Sequence, residues 1–449
     1  MAREGARGYA AVSAVVLETD AFREGFSSVG SGPSWLLRMR NEAMERFASL
    51  GFPTTRDEAW KYTSVAPIAR TRFREGAGIP RRPSLGEVGL SCLQSLAPVV
   101  FVNGRFSPEL SAGGERSVRV RSLREVLEDG GARLEGLLGA LQSVKTDAFA
   151  ALNTAFLEDG AFVEISPGAI VKDPIVVVHL AIGGADGPTV CHPRTLVSAG
   201  AGSQALLIEA YAGPGQQVSF TNAVTEVAVG DGAILDLTRL QLEGGASFHV
   251  DRLAVRQERS SRFSCHTFSL GASLSRSDTA VLLAAPGGEC ELNGLFMADG
   301  EQHMDIETRI VHAQPHCSSR ELFKGILGGR ARGVFAGTIV VERDAQKTDA
   351  QQTNRNLLLS SEALVDSVPR LEILADDVKC KHGSATGQLD PDSLFYLRSR
   401  GLDEEEARSM LVFAFGRELV QRVKVDSLRQ ELEIQLGSRL TRPGMGVRS

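Results

Sequence analysis

The stretch ILDLTRLQLEGGASFHVDRLAV (234–255) decides the fold class of this chain. It contains two short segments rich in strand-forming residues, 234–243 and 248–255, and Gly244 and Gly245 stand between them. Short apolar segments bounded by glycines are typical of β-strands joined by tight turns. The stretch therefore predicts two successive strands with no helix between them.

The same pattern extends in both directions. It predicts further strands at 161–165, 175–180, 195–199, 204–212, 223–229, 279–285, 308–313 and 337–342. No helical pattern separates them, so the alternation of strand and helix that builds a βαβ sheet is excluded. A sandwich, a large barrel and a solenoid that coils short strands into a β-helix remain. No strict hexapeptide repeat is visible, and the pattern alone leaves these three open.

Helical patterns lie on both sides of the strands. Before them we predict a helix at 34–51 that ends at Gly51, and shorter helices at 122–131 and 147–160. After them we predict a helix that begins at Asp390 and Pro391, and two more that begin at Asp403 and Asp426. The chain is therefore expected to have a mostly helical region at 1–160, a β-core at 161–388 and a helical region at 389–449.

Composition excludes several classes of protein. Lys and Arg number 49 against 55 Asp and Glu, and the net charge of −6 argues against bulk attraction to nucleic acid. No apolar run approaches the roughly 20 residues of a membrane-spanning helix. Residues 1–20 lack the long apolar segment of a signal peptide, and the six cysteines form no CxxC pair. We therefore expect a cytoplasmic protein with free thiols, without a nucleic-acid or membrane partner.

Sequence motifs for common enzyme chemistry are missing. The chain has no P-loop to hold a triphosphate, no GxSxG nucleophile elbow and no HExxH metal motif. Cysteine and histidine are direct neighbours at 191–192, 265–266 and 316–317, but adjacent residues of a strand point to opposite faces and cannot chelate as pairs.

The segment DDVKCKHGSATGQLD (376–390) is different, because Cys380 and His382 are two residues apart. Alternate residues of a strand share a face, so the two side chains offer one thiolate and one imidazole. Lys379 and Lys381 are expected to favour the thiolate. Two ligands are half of the usual four for a soft metal, so the others would have to come from another surface or another chain.

Several stretches, in order along the chain, resemble the SufD family of scaffold subunits in the SUF machinery for iron–sulfur cluster assembly. The most extensive is QQTNRNLLLSSEALVDSVPRLEILADDVKCKHGSATGQLDPDSLFYLRSRGL (351–402). The others are RDEAWKYTSV (56–65), FVNGRF (101–106), FAALNTAFLEDGAFVEI (149–165) and HAQPHCSSRELFKGILGGRARGVFAGTIVVERDAQKTDA (312–350).

Two departures separate the chain from the sister subunit SufB. SufB proteins carry a cysteine in the segment that corresponds to 361–365, which reads SEALV here, and they read His-Glu-Ala-Thr where this chain has HGSA (382–385). Both features favour SufD. Lys381 stands where many SufD sequences have serine.

The resemblance implies a fold: a right-handed parallel β-helix between N-terminal and C-terminal α-helical regions. It also implies partners, namely a SufB subunit joined through the β-helices and a SufC ATPase on the helices of 389–449. A homodimer in isolation is a further expectation.

The resemblance implies a site as well. His382, with Cys380 beside it, would lie at the SufB interface and form the nascent cluster with a SufB cysteine. His382 would thus be a metal ligand shared with SufB. The implied function is a non-catalytic scaffold, connected also to iron acquisition, that binds no cofactor tightly alone and holds iron or a cluster transiently.

Two interpretations stand against this one. The first is an autonomous β-helix enzyme that acts on carbohydrate, and the second is a structural module without a metal role. The WKYT segment (60–63) has two interpretations of its own: aromatic packing that anchors the N-terminal helices, or contact with a partner.

Overall fold

The computed structural model describes residues 19–26, 30, 32–76, 83–111, 118–184, 187–215 and 217–440. Most of the N-terminal segment used to predict localisation, 1–18, and the end of the predicted C-terminal region, 441–449, lie outside the described residues.

The centre of the molecule is a parallel β-solenoid made of two long sheets. Strands that are two apart in the chain pair in parallel, so the backbone alternates between the sheets as it coils. This topology confirms the expected β-helix, and the sandwich and the barrel are excluded. The first sheet contains β4 (Val118–Ser122), β5 (Ala161–Ile165), β8 (Arg194–Ala199), β10 (Ser219–Val229), β12 (Phe248–Gln257), β14 (Leu274–Leu283), β16 (His303–His312), β18 (Arg332–Val341) and β20 (Leu364–Ile373), with β1 (Arg74–Glu75) and β7 (Thr189–Cys191) beside them.

The second sheet faces the first across the solenoid interior. Its strands are β2 (Val99–Val102), β3 (Arg105–Phe106), β6 (Ile175–Leu180), β9 (Gln204–Ala212), β11 (Ile234–Gln241), β13 (Arg262–Ser269), β15 (Glu289–Ala298), β17 (Ser318–Leu327), β19 (Asp349–Leu358) and β21 (Lys379–Gly387).

The interior is built from equivalent positions stacked turn upon turn. Leu235, Phe263 and Cys290 are register partners on β11, β13 and β15, and all three are buried in one apolar cluster. Stacking at the spacing of neighbouring strands, about 4.8 Å, removes both faces of each inner side chain from water. The interior apolar residues therefore specify the coil without a strict sequence repeat.

Helices flank the solenoid on both sides. They are α1 (Ser34–Leu50), α2 (Ala66–Ala69), α3 (Leu123–Glu128), α4 (Ala148–Ala155), α5 (Pro391–Ser399), α6 (Glu404–Val420) and α7 (Asp426–Leu440), with short 3₁₀ turns at Glu58–Trp60, Gly86–Val88 and Ser91–Leu96. The predicted helix end at Gly51 is confirmed, and the Gly51 backbone N–H donates to the Phe47 carbonyl oxygen. The helix starts at Ser122, Asp390 and Asp403 are confirmed, because each of these side chains accepts a backbone N–H.

The N-terminal region is fixed to the first sheet by the WKYT segment. Trp60 is 7% exposed, and the Arg276 guanidinium lies 4.0 Å from the centroid of its indole ring. The Thr63 hydroxyl also contacts His303 Nε2 at 2.8 Å. Both contacts support the packing interpretation for these two residues, whereas Lys61 and Tyr62 remain exposed.

The C-terminal helices α6 and α7 cover the outer face of the second sheet. Leucines of α7, including Leu432 and Leu436, join one apolar cluster with Leu295 and Ile326 of β15 and β17. By contrast, α5 has no buried residue. Helices α6 and α7 are therefore packed into the core, whereas α5 is not.

Candidate functional site at the open end of the solenoid

The solenoid ends in a turn whose outer edge is unpaired among the described residues. β20 pairs with β18 and β21 pairs with β19, and each is the terminal strand of its sheet. We call these two strands and their connection, residues 364–387, the open end. Leu364, Ile373 and Leu374 are exposed there. A row of free backbone groups beside exposed apolar side chains is a template for pairing with another chain.

Cys380 and His382 both lie on β21, and both face inward. Their register partners on the preceding turn are Ala350 and Gln352, which are buried. Two residues further on, the Ser384 hydroxyl donates to Ser367 of the opposite sheet at 2.8 Å, which fixes the inward direction of this alternate set. Thiol and imidazole therefore stand side by side at the mouth of the solenoid.

Cys380 is half-buried and has apolar neighbours. It packs against a cluster that includes Ile339, Val341 and Ala350. Burial raises the pKa of the Cys380 thiol, a hydrogen bond from the backbone of Ala350 lowers it, and the Asp349 carboxylate raises it further. The expectation that lysines favour the thiolate is therefore wrong, because Lys379 and Lys381 occupy the alternate, outward positions of the strand.

His382 is exposed and makes no side-chain hydrogen bond with another described residue. Among the described residues, no group of three or more His, Cys, Asp or Glu side chains could hold a metal ion. The open end thus presents one imidazole and one protonated thiol, which is an incomplete ligand set.

Two buried polar residues behind His382 escaped the sequence analysis. Gln352 donates from Nε2 to Oε2 of Glu321 at 2.7 Å, inside the solenoid. Burial raises the pKa of Glu321 to about 7, and the hydrogen bond from Gln352 opposes the rise. The signal that could have revealed them is spacing, since Glu321, Gln352 and His382 recur at the length of one turn and are register partners.

The other cysteine–histidine neighbours do not form ligand pairs. Cys191 and Cys265 are buried, and burial raises their thiol pKa values to about 12 and about 11. His316 has a left-handed backbone in a turn, with φ 61°. The argument from opposite faces of a strand applies to Cys265 and His266 on β13, whereas His316 and Cys317 lie in the turn before β17.

A second surface is formed by the outer side of the C-terminal helices. Phe395 and Tyr396 on α5 are 74% and 57% exposed, and Met410 on α6 is 49% exposed. Neighbouring large apolar side chains at such exposure are typical of contact surfaces. No helix among the described residues is long and apolar enough to cross a membrane.

The structure belongs to the class of parallel two-sheet β-solenoids with helical regions on both sides. A model described as "SUF system FeS cluster assembly, SufBD core domain" matches residues 181–415, and one for the "SufBD protein N-terminal region" matches 22–177. The chain belongs to the SufBD family of the SUF system for iron–sulfur cluster assembly.

Curated relatives agree with this assignment. A SufBD family protein of Synechocystis is 33% identical, and the match covers 92% of this chain and 93% of that protein. The SufD proteins of Escherichia coli and Bacillus subtilis are 31% and 24% identical, over 88% and 92% of this chain and 91% and 95% of theirs. Nothing in these findings supports the carbohydrate-active alternative.

Proposed function

We propose that this chain is a SufD-type scaffold subunit that pairs, through its open end, with a SufB-like subunit. The observation that carries the proposal is the position of His382 and Cys380 on the last turn, whose outer edge is unpaired among the described residues. The unpaired edge of the open end, which can pair with a strand of another chain, therefore lies beside an incomplete ligand set. One partner protein can supply both the pairing strand and the missing ligands. Iron or a nascent cluster is the cargo, shared with the partner's side chains, and His382 is the ligand from this chain.

The docking of an ATPase is a second part of the proposal. Without a P-loop, this chain needs a partner to hydrolyse nucleotide. The exposed Phe395, Tyr396 and Met410 form the surface that a SufC-like ATPase would cover. In this arrangement 389–449 is the motor-binding region, 161–388 pairs with SufB and 1–160 supports the solenoid.

The proposed protein is cytoplasmic and non-catalytic, and it holds no cofactor tightly when alone. Two copies of this chain would pair through the outer edges of their open ends in the absence of SufB, giving a homodimer in isolation. A connection to iron acquisition would follow from the same cargo site.

Anaerobic reconstitution of the complex with SufB-like and SufC-like subunits tests the proposal. His382→Ala should leave the three proteins associated and remove the visible absorption of the cluster, because an exposed side chain is lost without a change in packing. Cys380→Ser is the matched variant on the same face, and it should have a smaller effect because the Cys380 thiol is half-buried against apolar neighbours, whereas His382 is exposed. Full cluster formation with His382→Ala would refute the proposed ligand role.

A further inference from the structure

Glu321, Gln352 and His382 form a column of polar side chains at the open end. They are register partners on β17, β19 and β21, and they all face the interior. Gln352 and Glu321 are fully buried, whereas His382 is exposed because no turn covers it. The column therefore leads from the mouth of the solenoid two turns inward.

The amide of Gln352 has a fixed direction. Its Nε2 donates to Glu321, while its Oε1 has no hydrogen-bond partner among the described residues. The amide lies against Gly337 of the opposite sheet, where a Cβ atom would stand 2.2 Å from Nε2. The nitrogen is directed at Glu321 on the preceding turn, and His382 lies on the turn that follows Gln352.

An unpaired buried carbonyl oxygen is costly and needs an explanation. A neutral imidazole offers one N–H donor, and a histidine that binds metal usually donates its other ring N–H to an oxygen acceptor. His382 is exposed, and it lies on the neighbouring strand. Within the described part of the chain, the ring N–H of His382 is thus a donor without a partner, and Oε1 of Gln352 is an acceptor without a partner. The two residues are adjacent in the column.

We propose that Gln352 is a positioning residue that accepts a hydrogen bond from the His382 imidazole, and that Glu321 holds the Gln352 amide in place. The bond selects one tautomer and leaves the other ring nitrogen free to face the open end. The positioning role rests on the proposed function of His382 as a ligand, although the hydrogen bond itself does not.

The full chain labelled with ¹⁵N-histidine provides the test, with the His382 signals assigned from His382→Ala. NMR should show a tautomer ratio of His382 in the metal-free protein that differs from that of a free histidine side chain, at a pH where the ring is neutral. A tautomer ratio equal to that of a free histidine side chain in the wild-type protein would overturn the proposal without any variant.

Variants define the acceptor. Gln352→Leu should move the tautomer ratio toward that of a free histidine side chain, and Glu321→Gln should preserve it because an amide oxygen still accepts from Gln352. The control is Asn354→Leu, a buried amide on the same face of β19 whose register partner is Ser384, and it should leave His382 unchanged. An unchanged ratio in folded Gln352→Leu would contradict the assignment.

The reconstituted complex then separates this proposal from the one on which it rests. Gln352→Leu should lower the cluster yield about ten-fold with association intact, which is the usual scale for a residue that orients a metal ligand. Wild-type cluster yield in Gln352→Leu would overturn the positioning role. If His382→Ala also keeps its cluster, the proposed function fails, and the NMR result still decides whether the hydrogen bond exists.

Discussion

Lys324 and Phe415 connect the solenoid to its C-terminal helices through a buried cation. The Lys324 ammonium, on β17, donates to the main-chain oxygen of Phe415 on α6 at 2.8 Å and lies 4.4 Å from the centroid of the phenyl ring. It also pairs with Glu418 at 2.5 Å, although its own side chain is 2% exposed. Since β17 also carries Glu321, one strand reaches both the helices and the column behind His382.

Replacing Lys324 should weaken this connection. Lys324→Met keeps the apolar stem but removes three contacts to α6, and hydrogen bonds to a charged group are worth about 1.5–3 kcal/mol. We expect a loss of that size in the free energy of unfolding, with faster hydrogen exchange in α6. The control is Arg417→Met, whose pair with Glu433 is solvent-exposed and should cost less than about 1 kcal/mol. Equal effects from both variants would show that the buried cation has no special role.

The indole of Trp60 should be essential for attaching the N-terminal region. Trp60→Ala removes a buried aromatic side chain and its contact with Arg276, with an expected cost of about 3–5 kcal/mol. Thermal unfolding and limited proteolysis would measure it. Tyr62→Ala, two residues away and exposed, should leave stability unchanged. If Tyr62→Ala is the more destabilising variant, the packing interpretation of this segment fails.

Gly271 and Gly245 lie near the same position on successive turns, and replacing them by alanine should have different effects on stability. A Cβ on Gly271 would stand 2.0 Å from the main-chain oxygen of Glu243, so the stacked turns must separate, at a cost of about 3 kcal/mol. Gly245 has no atom within 4 Å of a Cβ, and Gly245→Ala should be neutral or slightly stabilising. Urea unfolding of both variants would test this, and a neutral Gly271→Ala would contradict the close approach.

A buried ionic cluster should make stability depend on pH. Burial alone would lower the pKa of His249, but the Glu243 and Asp251 carboxylates raise it to about 9. His249 then contributes stability in full below its unfolded pKa near 6.5, and the contribution is lost as pH rises toward 9. The difference in unfolding free energy between wild type and His249→Gln should fall by about 3 kcal/mol across that interval.

His312 is the matched control, with the opposite sign. Burial lowers the pKa of its imidazole to about 4, so its contribution is present above pH 6.5 and is lost as pH falls. His312→Gln should therefore alter only the acid side of the stability curve. A difference for His249→Gln that stays flat from pH 6.5 to 9 would contradict the raised pKa.

Much of the architecture could be predicted from the sequence, and the failures have a physical cause. Strands such as 248–257 were found because apolar residues and glycines mark them. The strands β13, β15, β17 and β19 were not found, since polar side chains interrupt them. On β19, for example, Gln352, Asn354 and Asn356 are polar and buried. Each of the three has a hydrogen-bond partner one turn away, about thirty residues distant in sequence, where no local pattern can show it.

The site was predicted only in part, because some of its properties depend on contacts between turns that are distant in sequence. Alternation on a strand was enough to place Cys380 and His382 on one face. The protonated state of Cys380 depends on apolar neighbours from β18 and β19, and the column of Glu321 and Gln352 depends on register. Both are properties of the coil, so only the three-dimensional structure reveals them.

The central claim is that the open end receives the SufB-like subunit, and hydrogen exchange tests it most directly. The chain would be compared alone and mixed with that subunit, with mass spectrometry of peptides from 364–387. We predict slower exchange in β20 and β21, because their free edge amides become strand-paired, while exposed α5 stays unchanged until the ATPase is added. Unchanged exchange in 364–387 on formation of a stable complex would contradict the account.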